Sequence, residues 1–246
     1  MAASDWKKKC KVEWSLGDDI PMPDTVDWKT IYEKKPFGRN LLKNPAPFGL
    51  THCAPPPEHE LAGMPGAEPP RFEPEVFQTC CCQWLQGDFT SWKIRREVLP
   101  YDTSGIPPGA VICHMPQFSW FFLEQKVDLK GEGFWEELLD NFQPDISVQD
   151  WYEESQLHQF IYQLHVRLLG ANGETVIQEH TFSPEEDTSN FSHTWKEVSH
   201  VFSNYGPGVR HVHFEHKLKN MSMIDFHATR VTDSAVMVRA TRSTPH

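Results

Sequence analysis

Positive charge is scarce in this chain: 23 Lys and Arg stand against 34 Asp and Glu, a formal net charge of −11. Such a balance repels phosphate backbones, so no nucleic-acid partner is expected. Long apolar runs are missing as well. The most apolar stretch, Phe118 to Leu123, falls far short of the roughly 20 residues that span a bilayer, and no leader of Lys or Arg followed by an apolar run stands out. The six cysteines are Cys10, Cys53, Cys80, Cys81, Cys82 and Cys113. Three in succession alternate between the faces of a strand, a poor disulfide framework, and no adjacent cation or helix N-terminus would activate them. They read as structural thiols in a reducing, cytoplasmic setting, with cell-surface association lacking a membrane span as the alternative. The sequons at Asn190 and Asn220 are read as unused. Paired carboxylates, a nucleophile elbow and a glycine-rich phosphate loop do not stand out either, so neither catalysis nor a cofactor is expected.

Aromatic residues are plentiful, with nine Trp and sixteen Phe, and each buried ring removes a large apolar area from water. Residues 1–27 mix Lys7 to Lys9 with an acidic stretch broken by Pro21 and Pro23, which reads as a flexible arm. A short helix is expected over Asp27 to Tyr32, capped by Asp27 or Thr25 and ended by Pro36 and Gly38. Residues 45–74, with Pro55-Pro56-Pro57 and Pro69-Pro70, read as an extended Pro-rich loop following a 28–44 linker. From residue 75 onward, short alternating runs between turn residues point to antiparallel strands near 79–85, 91–98, 110–114, 117–130, 145–152, 160–169, 174–182, 195–203, 209–216 and 231–240. The clearest places Phe160, Tyr162, Leu164, Val166 and Leu168 on one face, followed by the hairpin signal Gly170-Ala171-Asn172-Gly173. One helical turn, Gly133 to Asp140, interrupts the series with Phe134, Trp135, Leu138 and Leu139 aimed at the core.

The run from Trp28 to Pro45 resembles the linker that joins an F-box to an F-box-associated domain. The resemblance continues through Val127–Asp140, Pro144–Tyr152, Tyr162–Leu169, Tyr205–His216 and Arg230–Val236, in the family's order. It implies an all-β fold: a ten-stranded antiparallel β-sandwich of galactose-binding-like, jelly-roll architecture with one short helical turn and a mostly irregular N-terminal arm. It also implies a non-enzymatic module that binds a protein or glycoprotein partner, with a link to ubiquitin-dependent glycoprotein degradation. Only 27 residues precede the run, too few for a three-helix F-box of roughly 40 residues, so direct binding to a ubiquitin-ligase adaptor is not expected. That feature and the Pro-rich insert make the chain most similar to the F-box-lacking branch described as cytotoxic-cell receptors with a role in cell proliferation.

In glycan-binding members a Tyr-Trp-Lys run follows the segment that matches Val209–His216, and its rings stack on sugar. Here that interval reads Lys217 to Thr229 without Trp or Tyr. The second stacking aromatic falls near Cys113-His114. Loss of such rings argues against N-glycan binding, while Met221, Met223, Ile224, Asp225 and Phe226, together with His114, are the expected contacts to a protein ligand. The alternative is an N-glycan-binding substrate receptor of the lectin type. A further alternative is a jelly-roll metalloenzyme built on His211 and His213, which share a strand face opposite Val212 and Phe214. The two histidines are expected on the solvated side with Glu215. Asp150-Trp151-Tyr152 invites a sugar-platform reading, but Ile146 and Val148 beside it favour core aromatics.

Overall fold

A computed structural model describes residues 3–47, 88–96, 120–153, 162–184, 195–219 and 230–242. Within them lie the strands β1 (Lys93–Arg96), β2 (Trp120–Asp128), β3 (Ile146–Glu153), β4 (Tyr162–Leu169), β5 (Val176–Phe182), β6 (Trp195–Phe202), β7 (His211–Lys219) and β8 (Arg230–Val238). They pair antiparallel in two sheets, ordered β1-β2-β7-β4-β5 and β6-β3-β8. Every alternating segment expected within the described residues is a strand; those near 79–85 and 110–114 lie outside them.

Parity decides which side chains meet between the sheets. Tyr162, Leu164, Val166 and Leu168 of β4 are fully buried alongside Val212 and Phe214 of β7 and Leu123 of β2. Ile146 and Val148 of β3, Phe202 of β6 and Val236 and Val238 of β8 belong to the same core. The β4–β5 hairpin closes as its sequence indicates. Asn172 Oδ1 accepts from the backbone N–H of Glu174 and of Thr175 at 3.1 and 2.9 Å, and Gly173 takes the positive φ of 70° that the turn requires.

One end of the sandwich is sealed. Helix α2 (Trp28–Lys34) starts where Asp27 accepts from the N–H groups of Lys29 and Thr30, and it ends at Lys35 in the left-handed region, directly before Pro36. Between β2 and β3 the chain makes a one-turn helix, α3 (Leu129–Glu132), and a π-helical turn, α4 (Leu138–Phe142). Trp135, between them, is 4% exposed. Its indole N–H donates to Pro21 O at 2.6 Å, and its ring meets Trp28 edge-on at 4.9 Å.

The first 27 residues depart from the flexible arm expected of them. Residues Ala3–Glu13 form helix α1, and Cys10, Leu16 and Ile20 join the buried core, so the acidic, Pro-broken stretch is irregular but docked. Alternating apolar positions separated by charges hide this in sequence, because the buried face is built from isolated residues. Burial also pushes the Cys10 thiol up to about 11, leaving it inert.

Beyond α2 the linker runs along β8. Gly38 N–H donates to Val238 O and Leu41 N–H to Val236 O, at 3.0 and 2.8 Å, covering a sheet edge that would otherwise expose unpaired backbone groups. The opposite end is different in kind. The strand ends that lead into residues 97–119, 154–161, 185–194 and 220–229 all lie there, as the pairings Arg96↔Phe121, Trp120↔Lys219, Tyr162↔Leu218 and Glu153↔Trp195 fix.

Candidate functional site

At this second end the outer face of the five-stranded sheet carries an array of rings and cations. Trp120 and Phe122 of β2 point outward beside Lys219 and Lys217 of β7, their register partners. Lys217 Nζ lies 5.0 Å from the centre of the Trp120 ring and 5.7 Å from that of Phe122, and Lys219 Nζ lies 5.6 Å from Trp120. The Arg95 guanidinium stacks on the other side, 3.8 Å from the Phe122 centre, while it pairs with Glu215 at 2.9 Å. Each contact is a cation over a ring face, favoured by the ring quadrupole.

Further along that face a charge ladder takes over. Lys93 pairs with Glu124 at 2.6 Å, and Glu124 accepts from His213 Nε2 at 3.0 Å. Arg167 Nη2 donates to His213 Nδ1 at 2.9 Å, so this imidazole is neutral with its proton on Nε2. Burial, and then the Arg167 charge, hold the His213 pKa below its ordinary value. Burial opposes the charge on Glu124, yet the bond from Lys93 and the neighbouring His213 leave its carboxyl below the usual range.

This placement corrects the expectation that His211 and His213 both face solvent. His213 is buried because β7 is the central strand, and Glu124, Lys126 and Arg167 from both neighbours lie over it. Both of its nitrogens are engaged, and His211 Nδ1 sits 3.0 Å from Gly170 O. The pair is therefore not presented to a metal, and among the described residues no group of three or more His, Cys, Asp or Glu is arranged to hold one.

A second polar cluster lies inside the core. Asp150 is fully buried and accepts from Tyr162 Oη at 2.6 Å, His216 Nδ1 at 2.8 Å and Ser234 Oγ at 2.7 Å. The four residues come from β3, β4, β7 and β8, so one carboxylate staples the two sheets together. Ser234 points inward in phase with Val236 and Val238; just before it a bulge shifts the β3–β8 register between Gln149 and Trp151, and Asp233 takes a φ of 51°, which Asp tolerates. Burial and the Asp150 charge push the Tyr162 pKa well above its ordinary value, which keeps the phenol a donor.

Serine, histidine and aspartate in one cluster invite comparison with a catalytic triad, but the connectivity differs. Ser234 bonds to the carboxylate and not to the histidine; His216 Nε2 is buried without a partner among the described residues, and the ring stacks at 5.0 Å on Trp92. A nucleophile needs the base at its own hydroxyl and access to substrate. This cluster has neither.

The expected contact residues His114, Met221, Met223, Ile224, Asp225 and Phe226 all lie outside the described residues. The strand ends that carry them do converge, since β7 delivers the chain into 220–229 next to the start of β2 at Trp120. Asp150 is inward and buried and Tyr152 stacks on Tyr162 at 4.3 Å, which places both in the core, whereas Trp151, expected there too, lies half-buried on the other face of the strand because side chains alternate. Sequence reasoning missed Lys217, Lys219 and Trp120. Extending the outward parity of His211, His213 and Glu215 by two steps reaches both lysines and supplies the signal.

A family model described as "F-box associated region" matches residues 32–238. The chain is 59% identical to F-box only protein 50 of Danio rerio over 98% of both chains. Against F-box only protein 50 of Homo sapiens identity is 38%, over 92% of this chain and 72% of the relative. Against F-box only protein 44 of Homo sapiens it is 32%, over 95% and 80%. Among solved structures, TmCBM61 in complex with beta-1,4-galactotriose aligns over 82% of this chain and all of its own, at 12% identity and a TM-score of 0.37.

Proposed function

Because this chain belongs to the F-box associated region family, we propose that it is a non-enzymatic recognition module whose open end binds a protein or glycoprotein partner through protein surface. The observation that carries the reading is the difference between the ends of the sandwich. One is plugged by Trp28, Trp135 and the α1–α2 segment; at the other, strand ends lead into the four connections 97–119, 154–161, 185–194 and 220–229 beside a rim of aromatic and cationic side chains. Recognition on a rigid scaffold concentrates on such connections. In this reading His114 and the apolar Met221, Met223, Ile224 and Phe226, with Asp225, supply contacts, and glycan stacking is lost with the missing Trp and Tyr. A link to ubiquitin-dependent glycoprotein degradation, without direct binding to the ligase adaptor, belongs to the same proposal.

The test is a titration with a chitobiose-containing oligosaccharide beside proximity labelling of partners in cells. We expect labelled protein partners and no saturable sugar binding. Sugar binding tighter than about 100 µM, near −5.5 kcal/mol, would replace this reading with the lectin one.

A further inference from the structure

Resting on that reading, we infer that Lys217 and Lys219 recognise an extended acidic segment of the partner, with carboxylates on alternate residues. Among the described residues the carboxylates on this sheet face near the rim are already occupied: Glu124 by Lys93 and His213, Glu215 by Arg95. Lys217 and Lys219 have no carboxylate within reach among the described residues; their contacts are the rings of Trp120 and Phe122. Two half-buried ammonium groups thus lie against aromatic faces with no compensating carboxylate among the described residues. That arrangement is prepaid order for an incoming anion.

The spacing selects its shape. Residues two apart on a strand lie on one face, about 6.5–7 Å apart along it. An extended acidic peptide repeats its carboxylates on one side at the same interval, so each can meet one lysine. A contiguous acidic block in another conformation does not match. The overall charge of −11 opposes large polyanions, which favours a short peptide over a phosphate backbone.

The experiment is fluorescence anisotropy with the full chain and a labelled octapeptide of alternating Glu and Ser, compared with alternating Gln and Ser and with a Glu block of equal charge. The alternating Glu peptide is expected to bind saturably below about 1 mM, to weaken about tenfold or more in K217E/K219E and several-fold in K217Q/K219Q, and to weaken with added salt. The neutral double variant keeps the result interpretable should charge reversal disturb folding. Absence of saturable binding, equal binding of the Glu block, or indifference to both double variants would overturn the inference. So would equal or tighter binding of an oligonucleotide of matched charge. Proximity labelling with K217Q/K219Q separates the two levels: partners retained while the peptide fails leave the recognition module standing without this site, and a wild-type chain that labels no partner sinks the module itself.

Discussion

The two ends of this sandwich divide the work. At the sealed end, residues far apart in sequence lock through buried rings and satisfied polar groups. Asp140 there accepts two bonds from Arg210, at 2.8 and 2.7 Å, and a third from Gly208 N–H at 2.7 Å, with Gly208 at a φ of 97°. The Arg210 bonds first, and Gly208 with them, hold the Asp140 carboxyl below its usual range. At the other end the described side chains include cations lying on rings, and two of them, Lys217 and Lys219, have no carboxylate partner among the described residues. Stability and recognition are therefore expected to respond to different substitutions.

Trp135→Ala should produce the largest effect, about 3–5 kcal/mol, because it empties a sealed cavity and orphans Pro21 O. A thermal midpoint that does not move would erase the distinction between the ends. Asp150→Asn, at the staple between them, should cost about 2–3 kcal/mol, since an amide N–H₂ must face one of three donors. Gly133→Ala should cost about 1–2 kcal/mol: its φ is 110° and a Cβ would lie 3.2 Å from Lys34 Cβ. Both are read by chemical denaturation.

His180 and His200 sharpen the comparison differently, since they face each other across the seam between the sheets, stacked at 3.9 Å. Burial lowers both pKa values, and the His180 charge lowers that of His200 further. The folded chain then binds fewer protons than the unfolded one as pH falls through about 6.5. Stability from this pair is complete above that pH and declines below it, and H180Q/H200Q should flatten the decline in thermal midpoint between about pH 6.5 and 5. Smallest of all, Trp120→Ala at the open rim should change stability by less than about 1 kcal/mol.

Much of this was legible in the sequence. Parity over Tyr162–Leu168, the Asn172 turn and the Asp27 cap each rest on short-range rules, and each appears as expected. The docking of residues 3–27 was not, because Cys10, Leu16 and Ile20 form no periodic stripe and are buried only once tertiary packing brings α1 against α2, where Cys10 Sγ donates to Trp28 O. His213 was misplaced for a related reason. Parity places it on the outer face, but only the sheet order reveals that long neighbours bury it. Asp150, His216 and Ser234 sit at core parity, and a polar residue in phase with core positions is a readable sign of a buried network.

The most direct test of the division of work is photo-crosslinking in cells, with the reactive residue placed at Thr181 beside the open end or at Ala171 on the hairpin at the sealed end, both exposed. Partner adducts from position 181, and none above background from position 171, are the outcome this account predicts. Adducts from the hairpin position with silence at 181 would contradict it and move recognition to the opposite pole of the sandwich.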